Sequence, residues 1–283
     1  MVKTLDIGGR TLAYQEFGSG ENYVLSTQNF FFSGCHAELL GKEPYPYHTF
    51  LIQTRGFGAS DHIFDEGGHD YTKMWAQDML DFAKTMGIER FYYTGISHGN
   101  AAGWYLAFFH PECLRGFVCC NGIPHFVPPG MTRTKPMPSS EELDALVGNR
   151  EKLRAMAWRE EWPTQNAARL AAREKNSREH LEILVQRRRE EFTCRNTNIA
   201  CCYADTQESF DAMLAQIRVP VMLLHGMLDP LATAEDALHV AKTIPGCVFL
   251  GYQNLGHGGM DECPELAARN CHRFFESTNN RIL

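Results

Sequence analysis

The chain has 283 residues, 44% of them hydrophobic and 22% charged, a length that suits one sizeable α/β domain plus an insertion. A net charge of -7 argues against a nucleic-acid partner, which needs clustered positive charge. No run approaches the roughly 18 uninterrupted apolar residues of a membrane span, and the amino terminus MVKTLDIGGRTLAYQEFG has no basic start followed by an apolar stretch, so a protein away from the membrane, without a secretory signal and in the cytoplasm, is expected.

Residues 11 to 17 (TLAYQEF) and 22 to 27 (NYVLST) are short β-prone runs. Gly18-Ser19-Gly20 separates them and reads as a hairpin turn. A third apolar run, 48 to 54, ends at the glycine-rich turn Arg55-Gly56-Phe57-Gly58. From Tyr71 the period changes: Trp75, Met79, Phe82 and Met86 form the stripe of an amphipathic helix that Gly87 stops. The strand-like run 90 to 96 leads straight into Ser97-His98-Gly99, then a buried helix ended by Pro111, then another apolar strand at 114 to 122. Strand and helix alternating in this way imply parallel pairing through right-handed crossovers.

The alternation then breaks at a proline-rich linker, Pro124 to Pro138, and from about Ser139 to Gln216 the spacing is helical with no strand candidate. Arg187-Arg188-Arg189, followed by Glu190-Glu191, reads as a solvated helix face. Strand signals return at 219 to 226 and 247 to 254, followed by helices at 233 to 243 and 264 to 276. The expected division is a core of residues 1–129 and 217–283 around a helical cap of residues 130–216. Ten cysteines include the vicinal pairs Cys119/Cys120 and Cys201/Cys202, none in a spacing typical of zinc, so reduced, mostly buried thiols and no metal are expected.

Gly95-Ile96-Ser97-His98-Gly99 matches GxSxG, and its context is the one that motif requires: a strand before it and a helix after it, with the serine on a strained turn. A serine hydroxyl is too weak an acid to attack unaided at neutral pH, so a histidine must take its proton and an acid must fix the histidine's tautomer. Asp229, three residues beyond the apolar run VMLLHG, and His257, between the last expected strand and the last expected helix, stand in that order. After the strand at 114 to 122, where a rival acid could sit, the chain has Asn121, which cannot ionise. His225 reads as a packing residue.

In RGFGASD (55 to 61), GISHG (95 to 99), HGMLD (225 to 229) and NLGHGG (254 to 259), in order and interval, the chain resembles the α/β-hydrolase superfamily, specifically its capped esterase, lactonase and carbon–carbon hydrolase branch. The resemblance covers nearly the whole length. It implies the α/β-hydrolase fold, a mostly parallel central sheet flanked by helices with an inserted cap, and a Ser97, Asp229 and His257 triad without a cofactor.

The resemblance also implies an oxyanion hole of two backbone amides, one from His98 and one just beyond the third strand. The family usually has His-Gly there; this chain has Gln28-Asn29-Phe30, so the second donor falls by position on Phe30, with Asn29 suited to a positive φ in the absence of glycine. Asn29, Phe31, Phe32 and, from the cap, Trp158 are the candidate substrate contacts, with Trp162 placed to close the pocket or pin cap helices. The expected reaction is hydrolysis of a small apolar or aromatic ester or lactone through an acyl-enzyme. Carbon–carbon bond hydrolysis of a diketone-type substrate, acyl transfer, a cofactor-independent oxygenase and a ligand receptor stay open. In the carbon–carbon branch a tryptophan often follows the histidine, where this chain has Gly258-Gly259. A small-molecule substrate is the expected partner, and homo-oligomerisation is left open.

Overall fold

The computed structural model describes residues 1–64, 70–128, 138–157, 164–194 and 203–279. One eight-stranded sheet runs in the order β1-β2-β4-β3-β5-β6-β7-β8. Its strands are β1 (Lys3–Asp6), β2 (Thr11–Phe17), β3 (Asn22–Gln28), β4 (Tyr47–Gln53), β5 (Phe91–Ile96), β6 (Leu114–Cys120), β7 (Val221–Gly226) and β8 (Val248–Tyr252). β1 and β2 pair antiparallel and β2 joins β4 antiparallel. From β4 to β8 every pairing is parallel.

The expected hairpin between 11–17 and 22–27 does not form: β2 pairs with β4, and β3 lies on the far side of β4. The reason lies in the connecting glycines. A Cβ on Gly18 would stand 2.2 Å from the Tyr47 carbonyl oxygen and one on Gly20 2.0 Å from that of Pro46, so this segment is pressed across the entrance of β4 and carries the chain over it.

The central strands are apolar on both faces, as a sheet covered on both sides demands. Along β5, Phe91 and Tyr93 point into one buried cluster and Tyr92 into the other, which follows from the two-residue period of a strand. Helices α2 (Tyr71–Thr85) and α3 (Ala101–Phe109) pack on the first face, α1 (His36–Leu40) and the last helix on the second. Asp70 caps α2 by accepting from the Lys73 amide. α3 approaches the sheet closely enough that a Cβ on Gly103 would lie 2.6 Å from the Tyr93 ring.

Between β6 and β7 the described residues form α4 (Ser140–Leu146), α5 (Arg150–Ala157), α6 (Ala167–Gln186) and α7 (Gln207–Ala215). α8 (Ala234–Thr243) follows β7, and α9 (Gly259–Glu262) and α10 (Pro264–Asn279) close the chain. Leu153, Ala157 and Leu184 make a small apolar cluster of their own in the insertion. Phe210 and Leu214 of α7 instead belong to the main core, with Ile217, Val219 and Val240, so the segment up to 216 expected as cap ends in a core helix.

The Arg187 to Arg189 run is not a solvated helix face. α6 stops at Gln186, and the half-buried Arg187 sets its guanidinium over the rings of Phe57 at 5.1 Å and Phe30 at 5.7 Å. The eight described cysteines are free thiols. No helix among the described residues is long and apolar enough to cross a membrane.

Leu214 is fully buried. Leu214→Ala is therefore expected to lower the free energy of unfolding by about 2–5 kcal/mol, the range for emptying a core leucine site. Urea denaturation checks this, and a loss well under about 1 kcal/mol would mean that α7 does not belong to the core.

Candidate active site

The order of the strands opens a crevice. From β3 the chain moves outward to β4, and from β4 it returns to the other side of β3 to form β5. Loops leaving the carboxyl ends of β3 and β5 therefore diverge, and ligands of open α/β sheets sit at such a reversal.

Ser97 follows β5 directly, with a left-handed φ of 51°. A side chain in that region costs about 1–2 kcal/mol, and the surroundings enforce it. A Cβ on Gly95 would stand 2.4 Å from the Gly99 oxygen, and one on Gly99 would stand 2.6 Å from the Thr27 oxygen. Only glycine fits either place. The Gly99 carbonyl accepts from the Thr27 hydroxyl at 2.9 Å and the Tyr93 hydroxyl at 2.7 Å, which fastens the turn to β3 and β5.

The structure brings the three residues expected to act together into one hydrogen-bonded line. His257 Nε2 lies 2.7 Å from Ser97 Oγ, and His257 Nδ1 lies 2.8 Å from Asp229 Oδ2. A carboxylate accepts, so Nδ1 carries the proton and Nε2 is left to accept from the serine hydroxyl. The second oxygen, Asp229 Oδ1, accepts from the amides of Leu231 at 2.8 Å and Ala232 at 3.0 Å. Burial pushes the Asp229 carboxyl up, but the His257 hydrogen bond and charge and those two amides outweigh it, and the carboxyl lies below its ordinary value. His225 is the packing residue expected: it is buried, and its Nε2 donates to the Ala232 carbonyl at 3.0 Å, closing the loop that holds Asp229.

Ser97 and His257 open on a partly enclosed cavity. Phe30, Phe32 and Ile96 form one wall, and Asn29 and His98 also line the cavity. Phe30 and His98 lie side by side, their ring centroids 6.3 Å apart. Phe31 does not line the cavity; it packs against Cys35, Ala37 and Leu51. Asn29 does not take a positive φ, since Ser97 and Asn121 are the described non-glycine residues that do. Its side-chain oxygen accepts from Thr54 Oγ1 at 2.8 Å and its carbonyl accepts from Gln53 Nε2 at 3.1 Å. Trp158 and Trp162 lie outside the described residues.

Part of the lining comes from a helix that the sequence analysis does not connect with the site. Arg173, Asn176, Ser177 and His180 of α6 line the same cavity, spaced i, i+3, i+4 and i+7 on one helix face. Asn176 Nδ2 donates to the Asp261 carbonyl at 2.9 Å, and His180 stacks on Phe30 with centroids 4.6 Å apart. Buried Arg169 and Arg173 both hold Glu262, through Nε atoms at 3.0 and 2.8 Å. A polar stripe of this period reads as an exposed helix face, so the only signal was its lack of apolar partners. Among the described residues no group of three His, Cys, Asp or Glu side chains is placed to hold a metal ion.

No family model matches the chain. A fluoroacetate dehalogenase of a Burkholderia species is 28% identical over 131 residues, 44% of this chain and 42% of the dehalogenase, so the match spans less than half of that relative. Among solved structures, an enol-lactonase from Burkholderia xenovorans LB400 superposes with a TM-score of 0.68 at 19% identity, over 97% of this chain and 100% of the lactonase. A thermophilic esterase from Thermogutta terrifontis superposes at 0.66 and 17% identity, over 98% of this chain and 97% of the esterase. The chain has the α/β-hydrolase fold.

The lowered Asp229 carboxyl gives a stability prediction. Its folded pKa lies below the unfolded value of about 3.9, so its contribution is complete above that value and is lost as pH falls through the folded pKa. Unfolding free energies measured between neutral pH and pH about 3 should therefore fall less steeply on the acid side in Asp229→Asn than in the wild type. Equal slopes would contradict the assignment.

Proposed function

We propose that this protein is a serine hydrolase that cleaves a small carboxylic ester or lactone through an acyl-enzyme on Ser97. The observation that carries this reading is the unbroken line from Ser97 Oγ through His257 to Asp229, with contacts of 2.7 and 2.8 Å, opening on the cavity.

His257 Nε2 takes the hydroxyl proton as Ser97 Oγ attacks the carbonyl carbon. The negative charge that develops on the carbonyl oxygen is met by the backbone amides of His98 and Phe30. When the tetrahedral intermediate collapses, the leaving alkoxide takes the proton from His257, and the acyl group stays on Ser97. Water then attacks the acyl-enzyme with His257 again as base, releasing the acid and restoring the serine. Asp229 holds the imidazole in the required tautomer and stabilises the imidazolium formed in each half-reaction.

The cavity walls favour a substrate with two characters. An apolar or aromatic group suits Phe30, Phe32 and Ile96, while Asn176, Ser177 and His180 add hydrogen-bonding groups to the lining. The names of the superposing lactonase and esterase are consistent with this class of substrate.

A fluorophosphonate probe should add one adduct, on Ser97, and none in Ser97→Ala. On a panel of p-nitrophenyl esters and lactones, Ser97→Ala should be inactive. Asp229→Asn, which removes the group that fixes the histidine tautomer, should lose on the order of 10⁴ in kcat while remaining folded. Turnover near wild type in either variant would reject the mechanism.

A further inference from the structure

The carboxyl end of β6 carries none of the three reacting residues, yet all three loops that do carry them meet there. Asn121, the first residue after β6, is 1% exposed and has a left-handed φ of 46°. Its Nδ2 donates to the carbonyls of Gly256 at 2.9 Å and His257 at 2.6 Å. Its Oδ1 accepts from the amide of Gly226 at 2.8 Å, three residues before Asp229. On its other side, Asn100 Nδ2 bridges the Ser97 carbonyl at 3.1 Å and the Cys120 carbonyl at 3.0 Å.

Resting on the serine-hydrolase reading, we propose that Asn121 is a positioning residue, whose carboxamide sets the distance of His257 from Ser97 by holding the histidine's own carbonyl against the end of β6. The geometry requires an amide at this place. A carboxamide offers two donors and an acceptor in one plane, and here it faces two carbonyls and one N–H. Asp229 and His257 are already linked through their side chains, and the Leu228 amide donates to the Leu255 carbonyl at 2.9 Å. The end of β7 is also held to β6 by strand pairing and by the Asn121 backbone amide on the Leu224 carbonyl at 3.2 Å, whereas the histidine loop could shift relative to Ser97 without breaking that pairing. Asn121 ties the pair to β6, and Asn100 ties Ser97 to the same strand end. The left-handed backbone aims the side chain sideways across the strand ends, where an extended residue would send it up or down from the sheet.

Two variants separate the register from the fold. Asn121→Gly keeps the left-handed backbone without strain and deletes the carboxamide. Asn121→Asp keeps an acceptor for the Gly226 amide and sets an oxygen against the two carbonyls of the histidine loop. In both, the second-order rate of fluorophosphonate labelling at Ser97 and kcat on the best panel ester should fall together by about 10- to 100-fold, as a sub-ångström to 1 Å misplacement of a reacting group does. KM and the number of sites found by active-site titration should stay near wild type. A purely structural role would instead reduce the titratable sites and leave kcat per site intact.

Wild-type labelling rates per site in either variant would overturn the proposal, as would an Asn121→Asp protein close to wild type, since the Gly226 contact alone would then suffice. Failure of both variants to yield folded protein would overturn it too, because the carboxamide would be serving the fold. If the wild type itself takes no label at Ser97, the hydrolase reading fails first, and the positioning role falls with it.

Discussion

A serine with φ of 51° is the constraint on which the rest of this site depends. The conformation is unfavourable by about 1–2 kcal/mol for any residue with a Cβ, so it persists only where the neighbours leave no alternative. Those neighbours are backbone atoms. The turn passes so close to β3 that Gly99 has its missing Cβ 2.6 Å from the Thr27 oxygen, and Gly122 after β6 has its own 2.4 Å from the Ser97 oxygen. The left-handed turn lifts the hydroxyl clear of the strand ends and points it at His257. An extended serine at the end of β5 would bury its oxygen beside the neighbouring strands.

That constraint explains why the adjoining elements lie where they do. β3 and β5 flank the serine on either side of the reversal in strand order, so the loop after β3 delivers Asn29 and Phe30 to the cavity that the turn after β5 opens. Parallel strands put every carboxyl end on one edge of the sheet, and the loops after β7 and β8 bring Asp229 and His257 to that edge without any long excursion. The sheet thus brings three separate loops together at one edge. His225 and the amides of Leu231 and Ala232 close the acid's loop locally, so Asp229 is held by its own loop as well as by His257.

The residues of the hydrogen-bonded line were legible in the sequence because their chemistry restricts residue type and their strands are apolar runs that end abruptly. Ser97, Asp229 and His257 each stand just past such a run. The hairpin expected at Gly18-Ser19-Gly20 was not legible, because glycines that permit a tight turn and glycines that permit a close crossing look alike; the close crossing to Tyr47 is a tertiary fact. Asn29 was read as a tolerant left-handed residue, whereas its side chain does the stabilising through Thr54. Phe30, Phe31 and Phe32 are alike in the sequence; Phe31 and Phe32 both pack against the cluster of Cys35, Ala37 and Leu51, and only the folded chain shows that Phe30 and Phe32 line the cavity while Phe31 does not. Arg173, Asn176, Ser177 and His180 repeat with the period of a solvated face, and the surface that covers Arg173 and Asn176 lies 89 and 85 residues away in sequence, at Glu262 and Asp261.

The way the insertion is fastened bears on how a substrate reaches Ser97. Its apolar cluster of Leu153, Ala157 and Leu184 is separate from the clusters of the sheet, whereas Cys194 and Ala204, further along the insertion, are buried in the main core. Around α6 many of the contacts across the junction are directional and polar: Arg169 and Arg173 on Glu262, Asn176 on the Asp261 carbonyl, Ser33 on Glu179 and, beyond the helix, His62 on Glu190. Groups of this kind exchange their partners for water at modest net cost when they separate, because hydration replaces most of what is lost. An apolar junction of similar extent would expose its whole area to water on opening. The polar contacts therefore fix where α6 sits over the site. Phe30 lies at this junction, stacked on His180 and lining the cavity at once, so displacement of α6 alters the surroundings of the residue whose amide faces the reacting carbonyl in the proposed mechanism.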